Sequence, residues 1–331
     1  MKDIALITIP TDEALRARMR AAAPEFTFHF LERREQFEEI FPSARILFGR
    51  YNPAKLPLPE KLEWLQVVSS GVDWYVAPGA LPPSTVLTAG TGSYGTIISE
   101  FMVGQLLSLY YNLPIYRDQQ RAAIWAEQSY PTTIAGKTAL ILGLGSIGSA
   151  FAEKMRAFGA YTIGVRRRDT DRSACADELY LFDDPALNAQ FARADIVALC
   201  MPQTPETIGM LSAGRIALLK KSAVILNAGR GSAIDQPALT DALLNKRIAG
   251  AALDVCTPEP LPASDPLWQC ENVLITPHIA GRDYAPAVIE KTIELFFENL
   301  AAFRENRPLR YVVDREKRYC ADRTLTLAQK C

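Results

Sequence analysis

One stretch constrains the fold more than any other: an apolar strand pattern that breaks into glycines and resumes as a helix, from Thr138 to Gly148. Thr138-Ala-Leu-Ile-Leu142 is short and wholly apolar, the pattern of a parallel strand buried on both faces. Gly143-Leu-Gly145-Ser-Ile-Gly148 follows it and opens an amphipathic helical stretch over residues 147–158. A second strand pattern at residues 161–165 ends about 20 residues after the middle glycine, as a dinucleotide-binding βαβ unit requires. Gly143 is suited to the tight turn, Gly145 to close approach of a pyrophosphate, and Gly148 to tight helix–strand packing. The helix start at Ser146 and Ile147 offers N–H groups that have no partner within the helix.

A second stretch, Gly90-Thr-Gly92-Ser-Tyr-Gly95, satisfies the same spacing, so the bare pattern decides nothing. No second strand–helix unit stands at the right distance from it, because residues 109–112 still belong to a long apolar helix. We read it as a crossing between two domains, where glycine supplies unusual φ values and a hinge.

The end of the second strand carries Arg166, Arg167 and Arg168 where a carboxylate would bind a ribose 2′-hydroxyl. A carboxylate repels a 2′-phosphate, whereas a guanidinium pairs with it bidentately. NADP(H) is therefore favoured, NAD(H) remains possible, and a solvated basic turn is the bland alternative.

Strand and helix patterns alternate throughout, the rhythm of an α/β protein. In the first third, strands are expected at residues 4–9, 27–31, 46–49, 65–68 and 86–88, and helices at 12–22 and 34–40. A long apolar helix is expected over 97–111, then a more polar helical stretch to Trp125. Further strands are expected at 196–199, 223–227, 250–254 and 273–275, with helices at 236–245 and 285–304. The pattern restarts near Gly136, so one α/β domain is interrupted by another. The expectation is a substrate domain over residues 1–98 and 284–331 and a dinucleotide-binding domain over residues 99–283. The tail after Tyr311 reads as a surface strand with a short helix, or as partly disordered.

A chain of 331 residues is long enough for two such cores. A net charge of −1 gives no electrostatic reason to expect nucleic acid or an anionic membrane as partner. No apolar run is long enough to span a bilayer. The first ten residues read as a strand, not a signal peptide. The six cysteines are scattered without a C-x-x-C pair, so neither disulfides nor a metal site is expected, and a reducing cytoplasmic setting is. Only His29 and His278 supply imidazole, which sharply limits acid–base candidates.

Three distant segments share one chemistry: Asn227-Ala-Gly-Arg230-Gly231, Asp254-Val-Cys-Thr-Pro-Glu259-Pro260 and Thr276-Pro-His278-Ile-Ala-Gly281. Each starts at the C-terminal end of an expected strand, the edge where open parallel sheets bind ligands. Reduction of a 2-keto acid asks for a cation on the substrate carboxylate, which Arg230 supplies. It also asks for a proton donor at the carbonyl oxygen, and the imidazole of His278 is a side-chain type suited to that role. Glu259 can hold the far ring nitrogen, fixing the tautomer. The glycines flanking Arg230 are read as clearing space for a ligand. Singly, each residue has a structural alternative: Glu259 as a turn cap, His278 and His29 as satisfied structural histidines.

Together with Pro202-Gln-Thr-Pro-Glu-Thr207, these segments, in this order, resemble the D-isomer-specific 2-hydroxyacid dehydrogenase family, over nearly the whole chain to about Tyr319. The pattern is similar to the family's glyoxylate/hydroxypyruvate reductase branch. The resemblance implies a Rossmann-type parallel-sheet dinucleotide domain inserted into a smaller flavodoxin-like α/β catalytic domain, with the site in the cleft and commonly a homodimer. It implies Arg230, Glu259 and His278 as the catalytic set, Asp254 near the nicotinamide, and Pro202 and Ala228 along the cofactor path. The loop Ser69-Ser70-Gly71-Val72-Asp73 resembles the substrate loop, with Gly71 and Val72 donating N–H groups beside Ser70. Tyr51 falls where the family shapes its pocket, and Trp125 resembles a residue near the dimer contact. Arg166 departs from the Asp of NAD-preferring members. The alternative of another class is a corepressor-like protein that binds NAD(P)H without turning a substrate over.

Overall fold

The structure, a computed structural model, describes residues 2–31, 38–52, 59–167 and 176–320. Two compact units emerge: the chain leaves the first after Tyr94, builds the second over Gly95–Gly281, and rejoins the first at Arg282.

In the first unit β1 (Asp3–Ile7), β2 (Phe26–Phe30), β3 (Ala44–Phe48), β4 (Trp64–Gln66) and β5 (Val86–Thr88) form a sheet in the order β2-β1-β3-β4-β5. Every pairing in it is parallel. The helix Glu13–Ala22 starts on Asp12, whose carboxylate accepts the Leu15 N–H at 2.8 Å. Glu13 in its first turn and Arg20 in its last complement the helix dipole.

The returning helix Pro286–Arg304 seals this sheet with both apolar and polar contacts. Phe296 stacks on Phe48 at 4.3 Å and on Trp64 at 5.4 Å between ring centroids. Beside them lie two amides that are fully buried, Gln66 and Asn299. Buried amides destabilise unless bonded, and these are bonded. Asn299 donates to Gln66 Oε1 at 2.9 Å and accepts the Arg310 N–H at 2.7 Å, while Gln66 donates to the Thr292 carbonyl at 3.3 Å. One register of helix on sheet satisfies all three. After the helix, Val312 bridges to Thr88 in antiparallel fashion, and the short strands Val313–Asp314 and Tyr319–Cys320 pair with each other. The expected surface strand is thus a two-stranded pair, with no helix over residues 312–320.

In the second unit β6 (Thr138–Leu142), β7 (Tyr161–Arg166), β8 (Glu178–Leu181), β9 (Ile196–Leu199), β10 (Val224–Asn227), β11 (Gly250–Leu253) and β12 (Val273–Ile275) form a sheet ordered β12-β11-β10-β9-β6-β7-β8. All six pairings are parallel. The centre explains the sequence pattern: β9 and β10 are buried at every residue, and so are Ala139 to Leu142 of β6. The order reverses direction between β6 and β9, which makes their C-terminal ends the topological switch point. The helix Gly95–Tyr110, predominantly apolar, packs in this unit against the helix Ser146–Ala157. A side chain at Gly95 would stand 2.7 Å from the Ser146 carbonyl oxygen. That close crossing is the use of this last glycine of the second glycine-rich stretch.

Two expectations differ from the structure, and a third lies mostly outside the described residues. The polar helix expected to reach Trp125 spans Leu113–Arg121, and Ala123 turns the chain with φ 53°. Strand β8 was not expected: Glu178-Leu-Tyr-Leu181 is half-buried along its length, and its apolar run is short and flanked by acids. The helix expected at residues 34–40 falls mostly outside the described residues, as does the tail beyond Cys320. No helix among the described residues is long and apolar enough to cross a membrane.

Candidate active site

The second unit delivers its loops to one edge. Gly143 follows β6, Arg166 ends β7, and Cys200, Ala228, Asp254 and Thr276 follow β9, β10, β11 and β12. Because every pairing is parallel, all six lie at the C-terminal edge.

The glycine turn is built by close backbone approach. Gly143 has φ +97° and donates its N–H to the Val165 carbonyl at 2.8 Å, tying the turn to β7. A side chain there would press on Met201 at 2.9 Å. At Gly148 a Cβ would overlap the Gly143 carbonyl, so the helix can sit over the turn only with glycine at that position. Gly145 caps the helix Ser146–Ala157 in an extended conformation and without a side-chain cap. The N–H groups of the first turn, at Ser146 and Ile147, therefore face the cradle with no capping oxygen in their way. These residues fit a dinucleotide pyrophosphate, which binds where backbone donors and the helix dipole point.

Arg166 is half-buried at the end of β7, and its carbonyl accepts the Phe182 N–H at 3.1 Å. Arg167 reaches the loop after β9: its Nη2 donates to Thr204 Oγ1 at 3.1 Å and lies 3.3 Å from Glu206 Oε2. Arg168 lies outside the described residues. The loop itself is knotted by Thr207, whose hydroxyl accepts the Thr204 N–H at 2.8 Å and donates to the Pro202 carbonyl at 2.7 Å. Pro202 is exposed and Ala228 half-buried at this edge. Sequence reasoning missed Thr204, Glu206 and Thr207 as site residues. The signal was available: a hydroxyl residue three positions before another, around Pro-Glu, is a side-chain-bonded turn.

The predicted set meets in part. His278 Nδ1 and Glu259 Oε2 stand 2.8 Å apart. Glu259 Oε1 also accepts the Cys256 N–H at 3.2 Å, so this carboxylate caps its own turn and engages the histidine at once. His278 has φ 52°, a left-handed conformation that a non-glycine residue holds only when its surroundings impose it. Asp254 imposes it. Its buried carboxylate accepts the Thr276 hydroxyl at 2.7 Å and the N–H groups of Ile279 and Ala280 at 2.9 Å each. Its carbonyl accepts the His278 N–H at 2.9 Å. The resemblance implies a place near the nicotinamide for Asp254; the bonds seen give it the holding of the histidine turn.

Arg230 stands on the neighbouring loop. Asn227, buried at the end of β10, donates to the Arg230 carbonyl at 3.0 Å and accepts the Gly229 N–H at 3.1 Å, clamping the turn. Arg230 Nη1 donates to the Gly229 carbonyl at 2.8 Å. The flanking glycines make room for backbone. A Cβ on Gly229 would stand 2.8 Å from the Met201 carbonyl oxygen, and one on Gly231 would overlap the Cys256 carbonyl. They let the loops after β9, β10 and β11 pack backbone to backbone, which brings the Arg230 turn against the segment carrying Glu259. Cys256 shares this place but takes no thiolate role: burial, with Glu259 nearby, pushes its thiol up to about 11.

In the first unit the loop after β4 is also at a C-terminal sheet edge. Ser69 donates its hydroxyl to the Gly71 carbonyl at 2.8 Å, and its own carbonyl accepts the Gly90 N–H at 3.1 Å. Ser70 is exposed, Gly71 half-buried and Val72 buried. Tyr51 is a core residue: it is buried, packs on Phe41 and Tyr75, and gives its hydroxyl to the Ala80 carbonyl. Trp125 is fully exposed. His29 lies in β2, in register with Leu6 of β1.

The model of the D-isomer specific 2-hydroxyacid dehydrogenase NAD-binding domain matches residues 103–280. A D-isomer specific 2-hydroxyacid dehydrogenase family protein from Aeromonas salmonicida subsp. salmonicida A449 is similar in structure, with a TM-score of 0.83 and 32% identity over 95% of this chain and 100% of that one. A D-isomer specific 2-hydroxyacid dehydrogenase from Xanthobacter autotrophicus Py2, solved with NADPH and MES, has a TM-score of 0.78 and 27% identity over 96% of this chain and 100% of that one. A glyoxylate reductase from Korarchaeum cryptofilum is 34% identical over 174 residues, 52% of this chain and 50% of that protein.

Replacing Asp254 by Ala should free the histidine turn. Amide exchange at Ile279 and Ala280 is expected to accelerate about tenfold or more, with a loss of about 2–4 kcal/mol in stability. Unaltered exchange at those two amides would show that other contacts hold the turn.

Proposed function

The chain belongs to the D-isomer specific 2-hydroxyacid dehydrogenase family, a family of oxidoreductases, and from that premise we propose that it reduces a small 2-keto acid of the glyoxylate/hydroxypyruvate type to the D-2-hydroxy acid, with NADP(H) preferred over NAD(H). The observation that carries this reading is the 2.8 Å contact between His278 Nδ1 and Glu259 Oε2, at the same sheet edge as the glycine cradle.

When bound, the nicotinamide dinucleotide supplies hydride to C2 of the keto acid. Its pyrophosphate is assigned to Gly143, Gly145, Ser146, Ile147 and Gly148, with Pro202, Ala228 and Asp254 along its path. The chain's own residues manage the proton and the charge. With Nδ1 turned to Glu259, Nε2 of His278 is the nitrogen left to face a substrate. Protonated, it gives its proton to the carbonyl oxygen as negative charge grows there, and the C=O bond becomes CH–OH. Glu259 stabilises the imidazolium before the transfer and keeps the ring oriented afterwards. In the oxidative direction neutral His278 takes the hydroxyl proton. Arg230 pairs with the substrate carboxylate and polarises the carbonyl, with one nitrogen already anchored on Gly229. In the first unit, the N–H groups of Gly71 and Val72, beside Ser70, suit a carboxylate.

The dinucleotide preference rests on charge. Arg166 and Arg167 stand where the second strand ends, and guanidinium pairs with phosphate while carboxylate repels it. The Xanthobacter relative, solved with NADPH, agrees in direction with this reading. A homodimer is the proposed assembly, supported by Leu113, Ile124, Trp125 and Tyr130, which are all exposed within one short segment.

Three measurements test this. His278→Gln should lower kcat for hydroxypyruvate with NADPH by about 10²- to 10⁴-fold and leave NADPH affinity within about twofold. A wild-type protein that binds NADPH yet turns over no member of a 2-keto acid panel would instead be a nucleotide sensor. Arg166→Asp should weaken NADPH about tenfold or more and spare NADH; an unchanged ratio of the two would refute the placement of the 2′-phosphate. Trp125→Glu should shift sedimentation from dimer to monomer, and a wild-type monomer would end that part of the proposal.

A further inference from the structure

The loop after β9 brings a carboxylate to the place where the proposed function needs positive charge. Arg167 Nη2 lies 3.3 Å from Glu206 Oε2 and donates to Thr204 Oγ1 at 3.1 Å. Thr204 is buried and fixed by Thr207, so its hydroxyl is a rigid anchor. Glu206 is exposed and stands two residues further on, at a turn locked by the same threonine. The Thr204 hydroxyl, the carboxylate's own N–H and then the Arg167 guanidinium hold the Glu206 carboxyl below its ordinary value, so it is charged at neutral pH.

The two contacts on Arg167 differ in kind. Thr204 is neutral and can stay bonded whatever approaches the guanidinium. Glu206 is an anion, and a 2′-phosphate arriving at Arg167 would meet like charge at short range. One of the two anions must give way, and Glu206, on an exposed side chain, is the one free to move.

Resting on the reading of Arg166 and Arg167 as the 2′-phosphate site, we propose that Glu206 is a built-in counter-ion of that site, competing with the 2′-phosphate for Arg167 and so setting the preference between phosphorylated and unphosphorylated dinucleotides. With the phosphate absent, Glu206 neutralises Arg167, and a plain ribose hydroxyl meets no unpaired cation. With the phosphate present, the guanidinium exchanges one anion for another, and the net gain is smaller than an unpaired arginine would give. Glu206 is therefore a selectivity residue. It touches neither the reacting carbon nor the proton that moves.

The test is direct binding, with no turnover involved. Wild type, Glu206→Gln and Arg167→Ala are titrated calorimetrically with 2′,5′-ADP and with 5′-AMP, which differ only in the 2′-phosphate. Exposed ion pairs are weak, and removing the repulsion adds to the effect, so Glu206→Gln should bind 2′,5′-ADP about three- to tenfold tighter. Its affinity for 5′-AMP should stay within about twofold, and the gain should shrink in high salt. Arg167→Ala should weaken 2′,5′-ADP alone. If Arg167→Ala does so while Glu206→Gln leaves 2′,5′-ADP unchanged or weaker, the counter-ion idea fails and the 2′-phosphate site stands. If wild type and Arg167→Ala do not discriminate the two nucleotides, the 2′-phosphate site itself is misplaced and both fall.

Discussion

The buried carboxylate of Asp254 organises the second unit's candidate site, because its bonds brace the turn on which His278 takes a left-handed backbone. Burying a carboxylate is unfavourable unless donors surround it. Here a hydroxyl and two successive backbone N–H groups do so, and all three come from the turn that carries His278. The same bonds that satisfy the acid therefore bend the chain. Direction matters too: Asp254 follows β11 and the turn follows β12, and those strands pair in parallel, so acid and turn arrive side by side.

A second constraint is the narrowness of the gaps between loops. Gly143, Gly148, Gly229 and Gly231 all stand where a Cβ would press on or overlap neighbouring atoms. Three of the four meet backbone foremost, which cannot move aside as a flexible side chain can, and Gly143 meets both Met201 and the Cys200 backbone. Small residues at strand ends thus set how closely the functional loops nest, and the Arg230 turn reaches the Glu259 segment through that nesting. Asn227 supplies the complementary fixture, bonding the turn at both ends from a buried position.

Much of this was legible in the sequence, for identifiable reasons. The strand–glycine–helix of residues 138–148 is local: its period, its glycines and the second strand lie within one short window, and the structure builds it as read. The pairing of His278 with Glu259 was legible through chemistry, since two histidines leave little choice. What escaped depended on contacts between distant segments. The flanks of Arg230 look the same in sequence whether glycine makes room for a ligand or for another backbone. The half-buried edge strand Glu178–Leu181 has only a short apolar run between acidic residues to announce it. Tyr51 sits two residues beyond an expected strand, yet whether its ring faces a pocket or the core depends on Phe41, Tyr75 and Ala80. The meeting of Arg167 with Glu206 joins loops after β7 and β9, which no local pattern encodes.

The two carboxylates around His278 show how environment divides labour between like groups. Asp254 spends its oxygens on donors of the turn and is buried, so its charge is committed to structure. Glu259 is exposed, gives one oxygen to the Cys256 N–H and turns the other to the imidazole. Only the second can respond when the ring gains or loses a proton, because only it touches the ring. A fixed anion that shapes the backbone and a more open anion that answers the imidazole are separate requirements of the proposed proton transfer to the carbonyl oxygen. Exchanging the two positions would leave the acid composition the same and disable both. A carboxylate as exposed as Glu259 could not hold the turn, and one as fully bonded as Asp254 could not follow the ring's charge.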